Sequence, residues 1–201
     1  MVKDTLGVAL DDLRPTQITV GYHEVGTKRQ EWRSADKHGR VSLLRSHVIP
    51  AVLGPKKRIY IVDHHHFARA LLEEGAPYAG VYILEDLSHL EKDEFWIFLD
   101  NSDWCHAYDE TGQRRRLSDI PKRLVDLKDD PFRSLASQLI QIGACAKSEK
   151  PFSEFIWADF LRRRIDPVLV KEDFSAALLK AIELAGSPQA KSLPGWCARS
   201  S

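Results

Sequence analysis

The stretch RIYIVDHHHFARALLEEGA, Arg58 to Ala76, constrains the fold of this chain more than any other. Ile59, Tyr60, Ile61 and Val62 form a strand-prone run that stops at Asp63. Phe67, Ala68, Leu71 and Leu72 then recur at helical spacing, and Gly75 supplies a stop. A strand that passes directly into a helix, with Asp63 placed to cap it, commits this part of the chain to a sheet with a helix beside it.

The same alternation extends to both sides. Upstream, LRPTQITVGY opens with a turn and becomes β-prone, and SHVIPAVLGPKKRIYIVD predicts short strands over 47–53 and 58–62 joined by Gly54 and Pro55. Downstream, YAGVYILEDL reads as a strand, and Ser88 with Glu91 forms a capping box before the helical HLEKDEFWIFLDN. Beyond the polar connection WCHAYDETGQRRRL the pattern is purely helical. Asp130-Pro131 opens a helix with Phe132, Leu135, Ala136, Leu139 and Ile140 on one stripe. PFSEFIWADFLRRRI follows, with Ser153 as cap and Phe152 and Trp157 as a staple, and EDFSAALLKAIELAG is the third helix. The predicted fold class is α/β (α+β): a small mixed-sheet unit over residues 1–110 and a helical half over 111–201. No flexible linker separates them, so they are expected to pack as one body.

Composition narrows the function. Lys plus Arg equals Asp plus Glu at 29 each, so no global field draws in nucleic acid, and a polyanion needs a local basic patch. Cys105, Cys145 and Cys197 are odd in number and form no CxxC pair, which excludes a zinc ribbon and argues against a disulfide framework. They read as buried or incidental thiols in a reducing cytoplasm. MVKDTLGVALDD lacks the apolar core of a signal peptide, and no run approaches the roughly 20 apolar residues that span a bilayer. A cytoplasmic protein without membrane contact is expected.

His64, His65 and His66 sit at the strand-to-helix junction. Helical neighbours diverge by about 100° per residue, so the three cannot share one metal ion from a helix. The i, i+4 pair typical of helical metal sites is absent, and no metal is expected. A helix start leaves backbone N–H groups unpaired, and these with the helix dipole favour a phosphate. Imidazoles there add donors, Arg69 follows one turn later, and Lys56, Lys57 and Arg58 could add charge if the fold returns them to that edge. The alternative is that the histidines cap and solvate the helix start.

YIVDHHHFARAL is similar to the signature box of the ParB/sulfiredoxin superfamily, whose usual form is Val-Asp-Gly-His-His-Arg followed by an Ala on the helix. LRPTQ resembles the superfamily's upstream strip. HVIPAVLGPKKRIY, DDPFRSLA, PFSEFIWADFLRRRI and SLPGW extend the match to one branch, the Putative ParB-like nuclease family, over nearly the whole chain. The resemblance implies a sulfiredoxin-like N-terminal fold and a site for ATP, ADP or CTP, with Mg2+, whose phosphates lie against the box. Asp63, His65, His66 and Ala70 match the box. His64 stands where the box has Gly, and Phe67 where it has Arg. Gln17 stands where serine kinases of the superfamily carry a reactive Glu, and Gln is no general base. The nearest Cys to His65 is Cys105, forty residues on and outside the box, so sulfiredoxin chemistry is excluded.

The expected site has Asp63, His64, His65, His66 and Arg69 on the phosphate, with Arg14, Thr16 and Gln17 closing the pocket. Glu24 and His65 are the candidates for a general base. The implied function is binding of nucleotide or nucleic-acid phosphate with phosphoryl transfer or phosphodiester hydrolysis, as a nuclease, nucleotide hydrolase or small-molecule kinase. The alternative is a non-catalytic nucleotide-sensing or partner-binding module. Arg114–Arg116 and Arg162–Arg164 read either as a solvated loop and a charged helix end or as DNA-backbone contacts.

Overall fold

The computed structural model describes residues 5–197, which divide into two compact units, one to Asp129 and one from Asp130. The first unit thus runs past residue 110, the boundary read from the sequence.

In the first unit the elements are β1 (Leu6–Val8), β2 (Leu13–Arg14), β3 (Thr19–Val20), α1 (Tyr22–Ser34), α2 (Lys37–Ser46), β4 (Ile49–Gly54), β5 (Arg58–Ile61), α3 (His65–Glu73), β6 (Ala79–Asp86), α4 (Lys92–Asn101) and β7 (Lys128–Asp129). Five strands form a mixed sheet in the order β1-β6-β4-β5-β2, and β3 pairs with β7 in a second, parallel sheet. β4 runs antiparallel to β5 and parallel to β6, while β2 joins the edge parallel to β5. Strand alternation sends Ile61 to one face and Tyr60 to the other. On the first face Ile49, Ile61 and Leu13 pack with Phe67, Ala68 and Leu71 of α3, Val25 and Trp32 of α1, and Leu124 and Leu127. On the second, Val52 and Tyr60 pack with Phe95, Trp96 and Leu99 of α4 and with Ile120.

Gly54 is fixed by space and not only by the turn. A Cβ there would come 2.6 Å from the Tyr60 ring and 2.7 Å from that of Phe95. The cap of α4 lies one turn later than the sequence suggested. Glu91, not Ser88, is the N-cap, paired with Glu94 in a reciprocal box, whereas the Ser88 amide turns back onto Asp86. The helices α1 and α2 escape the periodicity reading because they are polar: α1 buries only Val25 and Trp32, and α2 has no buried residue.

The second unit contains α5 (Pro131–Gln141), α6 (Ser153–Arg162), α7 (Pro167–Glu172) and α8 (Phe174–Ala185). Asp130 caps α5 by accepting the Phe132 amide at 3.1 Å. Phe152, in the left-handed conformation, precedes α6 and Ser153 makes no capping bond. Leu135, Leu139, Trp157, Leu161, Ala177 and Ala181 form its core. Arg162 pairs with the buried Asp130, whose carboxyl burial raises above its ordinary value against the pull of that guanidinium.

Candidate functional site

The turn between β5 and α3 is built on a left-handed residue. His64, the N-cap of α3, has φ 60° and ψ 28°. The box residue that is usually Gly therefore keeps a backbone that glycine adopts without strain, and a histidine holds it at about 1–2 kcal/mol. A left-handed residue followed by right-handed helix turns successive amides toward one point, an arrangement that accepts anions. One anionic group already uses it: Asp63 Oδ1 accepts the His64 amide at 2.6 Å. Asp63 thus acts from outside the helix, one residue before the cap. The helical ladder itself starts with the Ala68 amide on the His64 carbonyl.

The side chains of the three histidines diverge. His65 is buried, and its Nε2 accepts the backbone N–H of Thr16 at 3.1 Å. That bond places the proton of the neutral ring on Nδ1. Thr16 Oγ1 donates to the Ile61 carbonyl, and the Thr16 carbonyl accepts the His106 amide. His65 therefore fastens the strip around Thr16 to the start of α3. His66 Nε2 accepts the Gly21 amide at 2.9 Å and lies 3.5 Å from Glu24 Oε2. A single ring nitrogen cannot accept an amide and donate to a carboxylate together. The shorter contact makes Nε2 an acceptor from Gly21.

His64 is half-buried, and its Nδ1 is enclosed with no hydrogen-bond partner among the described residues. Burial lowers its pKa, opposed by the Asp63 carboxylate and by a hydrogen bond with the His47 backbone, while the charges of His47 and Lys28 add to the lowering. The His47 ring packs against those of His64 and Phe67, with centroids 6.1 and 4.9 Å apart. No sequence signal marks His47; it reaches the site because α2 ends there and the chain turns into β4.

Two expected phosphate ligands face elsewhere. The Arg69 guanidinium is buried, donating through Nη1 to the carbonyls of Leu124, Val125 and Leu127 and through Nε to Glu73. It ties the 124–127 segment to α3 and sits over the Tyr22 ring. The side chain of Arg14 lies on the α4 face of the sheet, 6.0 Å from the Tyr60 ring centre, because β2 pairs Arg14 with Tyr60. Lys56 and Lys57 stand at the far end of β5, about 13 Å of strand away from the box. Thr16 and Gln17 are both buried; Thr16 reaches α3 through His65, whereas Gln17 bridges to His106. The structure thus joins Asp63 with His64, Thr16 with His65, and Glu24 with His66, but not Arg14 or Arg69 with them.

The first arginine run is neutralised locally, and the second only at Arg162. Arg114, Arg115 and Arg116 pair with Asp100, Asp109 and Asp119, and Arg162 with Asp130 and Asp159. Among the described residues no three His, Cys, Asp or Glu side chains converge as a metal site. No helix there is long and apolar enough to cross a membrane.

A family model described as "Putative ParB-like nuclease" matches residues 6–163, from β1 through α6. The chain belongs to the ParB-like nuclease family. A solved member of the same fold is protein Atu1540 from Agrobacterium tumefaciens, 48% identical, with a TM-score of 0.91 over 98% of this chain and 99% of that one. No curated protein matches. For this ParB-like nuclease family chain, the matched span contains the whole box, the Thr16 strip and the Glu24–His66 pair.

Proposed function

We propose that the chain binds the phosphate of a nucleotide or nucleic acid at the β5–α3 turn and acts on it by phosphoryl transfer or phosphodiester hydrolysis. The observation that carries this reading is the left-handed backbone at His64, with its amide held by a carboxylate at 2.6 Å. An entering phosphate would replace the Asp63 carboxylate, meeting the amides of the first turn, the helix dipole and the positive potential of Lys28. ATP, ADP or CTP would bring Mg2+ with its own phosphates. Proton handling would fall to Glu24 and His66, since the His65 Nε2 lone pair is engaged by Thr16. The test is a thermal-shift series with ATP, ADP, CTP, GMP and inorganic phosphate, with and without Mg2+. A ligand at about 100 times its Kd stabilises by about 2.7 kcal/mol. The expected shift grows in Asp63→Asn, which removes the carboxylate that competes for the amides, and no shift from any of the five rejects the reading.

One observation favours a binding module without turnover. Gln17 is buried in the strip where related kinases carry a reactive Glu, so the position supplies no base. A bound nucleotide that yields no product at high protein concentration would select the module.

A further inference from the structure

A hollow lies away from the histidine box, beside the free edge of the sheet. It encloses about 430 Å³ between β1, α2 and the start of β6, and Leu6, Gly7, Val41, Arg45, Tyr78 and Gly80 define it. That volume falls in the range of small-molecule sites, about 300–1,000 Å³.

Three observations set its chemistry. Leu6, Val41 and Tyr78 are 50%, 40% and 47% exposed, so three of the ten exposed large apolar side chains among the described residues surround one hollow. Scattered apolar residues are ordinary on a surface, but a converging set marks a contact site. Next, Gly7 pairs with Gly80 across β1 and β6, and while Thr5, Leu44 and Val48 close in over Gly80, the floor carries no side chain at Gly7. A Cβ at Gly7 would touch only the Tyr78 ring, at 3.7 Å, so the space above it is open. Third, Arg45 is exposed and has no ion pair or hydrogen bond among the described residues, in contrast to Arg114, Arg115, Arg116 and Arg162. Its helix, KHGRVSLLRS, contains no acidic residue to neutralise it.

We infer that this hollow binds a small carboxylate with an apolar tail, the tail lying on the glycine floor between Leu6, Val41 and Tyr78 and the carboxylate meeting Arg45. Apolar contact supplies most of the affinity, and the guanidinium selects the sign of the head group. The site is independent of the phosphate reading.

The experiment titrates the full chain with octanoate, octan-1-ol and octyltrimethylammonium by calorimetry. Octanoate should bind tightest and the cation weakest. Arg45→Gln should weaken octanoate about fivefold, to the level of the alcohol. Gly7→Leu, which fills the floor, should remove binding of all three while circular dichroism stays unchanged. Should Gly7→Leu fail to fold, Val41→Asp, on the exposed face of α2, provides the same readout. Equal binding of the three probes, octanoate affinity untouched by Arg45→Gln, or no binding to the native chain would each overturn the inference. So would sedimentation showing a dimer that Val41→Asp dissociates, since a second copy would then fill the hollow.

Discussion

His65 Nε2 and the Thr16 amide are 3.1 Å apart, both buried, and this bond joins residues 49 positions apart in sequence. The most strongly box-like histidine of the chain thus acts as an acceptor that holds two segments together. His65→Phe keeps the ring volume and removes the acceptor, leaving a buried N–H unpaired at about 1–3 kcal/mol. Denaturant titration should show that loss, and hydrogen exchange at the Thr16 amide should accelerate. Unchanged exchange there would mean that the strip is held by other contacts.

At His64 the backbone and not the ring is decisive. His64→Gly removes the left-handed strain, whereas His64→Ala keeps the strain and gives up the ring. The Gly variant should be more stable than the Ala variant by about 1 kcal/mol. It should also keep phosphate-dependent thermal stabilisation, because the contacts proposed for the anion are amides. A Gly variant without that stabilisation would assign the anion to the imidazole.

Arg69→Met tests the tie to the 124–127 carbonyls. Two buried carbonyls and one at the surface lose their donor, at about 3 kcal/mol. Phosphate affinity of the folded variant should equal that of the native chain. A selective loss of affinity at unchanged stability would return Arg69 to the ligand set.

Asp109 gives a pH-dependent prediction. Burial would raise its pKa, but hydrogen bonds from Thr111, Gln113 and Arg115 outweigh this and hold it at about 2, below the ordinary 3.8. A depressed acid stabilises the fold above its unfolded value and loses that contribution as pH falls through the folded value. Asp109→Asn should therefore be less stable than the native chain above pH 4, by about 1 kcal/mol after solvent screening. The gap should close between pH 4 and pH 2. A gap independent of pH would mean that the hydrogen-bond geometry, not the charge, organises the loop.

The thiols should separate by reactivity. Burial pushes Cys105 up to about 12 and Cys145 to about 11, while Cys197 is exposed. Ellman's reagent should titrate one thiol quickly in the native chain and all three after unfolding.

The elements with strong apolar periodicity were legible in the sequence. The strand pair around Gly54, α3, β6, α4 and the stripe of α5 all follow from spacing and turn chemistry. α1 and α2 were not, because helices that bury two side chains or none have no stripe to read. The box was legible as a place, a strand-to-helix turn, but the roles of its residues were not. Whether His65 meets a ligand or the Thr16 amide depends on a strip 49 residues away, and the direction of Arg69 depends on carbonyls more than 50 residues downstream. Spacing on one helix predicts which side chains share a face, not which distant backbone completes their hydrogen bonds.

The pairing of β3 with β7 sets an order of events during synthesis. Thr19 and Val20 pair with Lys128 and Asp129, Asp129 caps the Tyr22 amide, and the carbonyls for Arg69 lie at 124–127. A nascent chain that has emerged only as far as α4 has the sheet strands and the histidines but none of these closing partners. Contacts spanning over a hundred residues form late because loop closure precedes their reward. On the ribosome, then, the box exists as sequence long before it exists as a site, and the last few residues of the first unit decide when it matures.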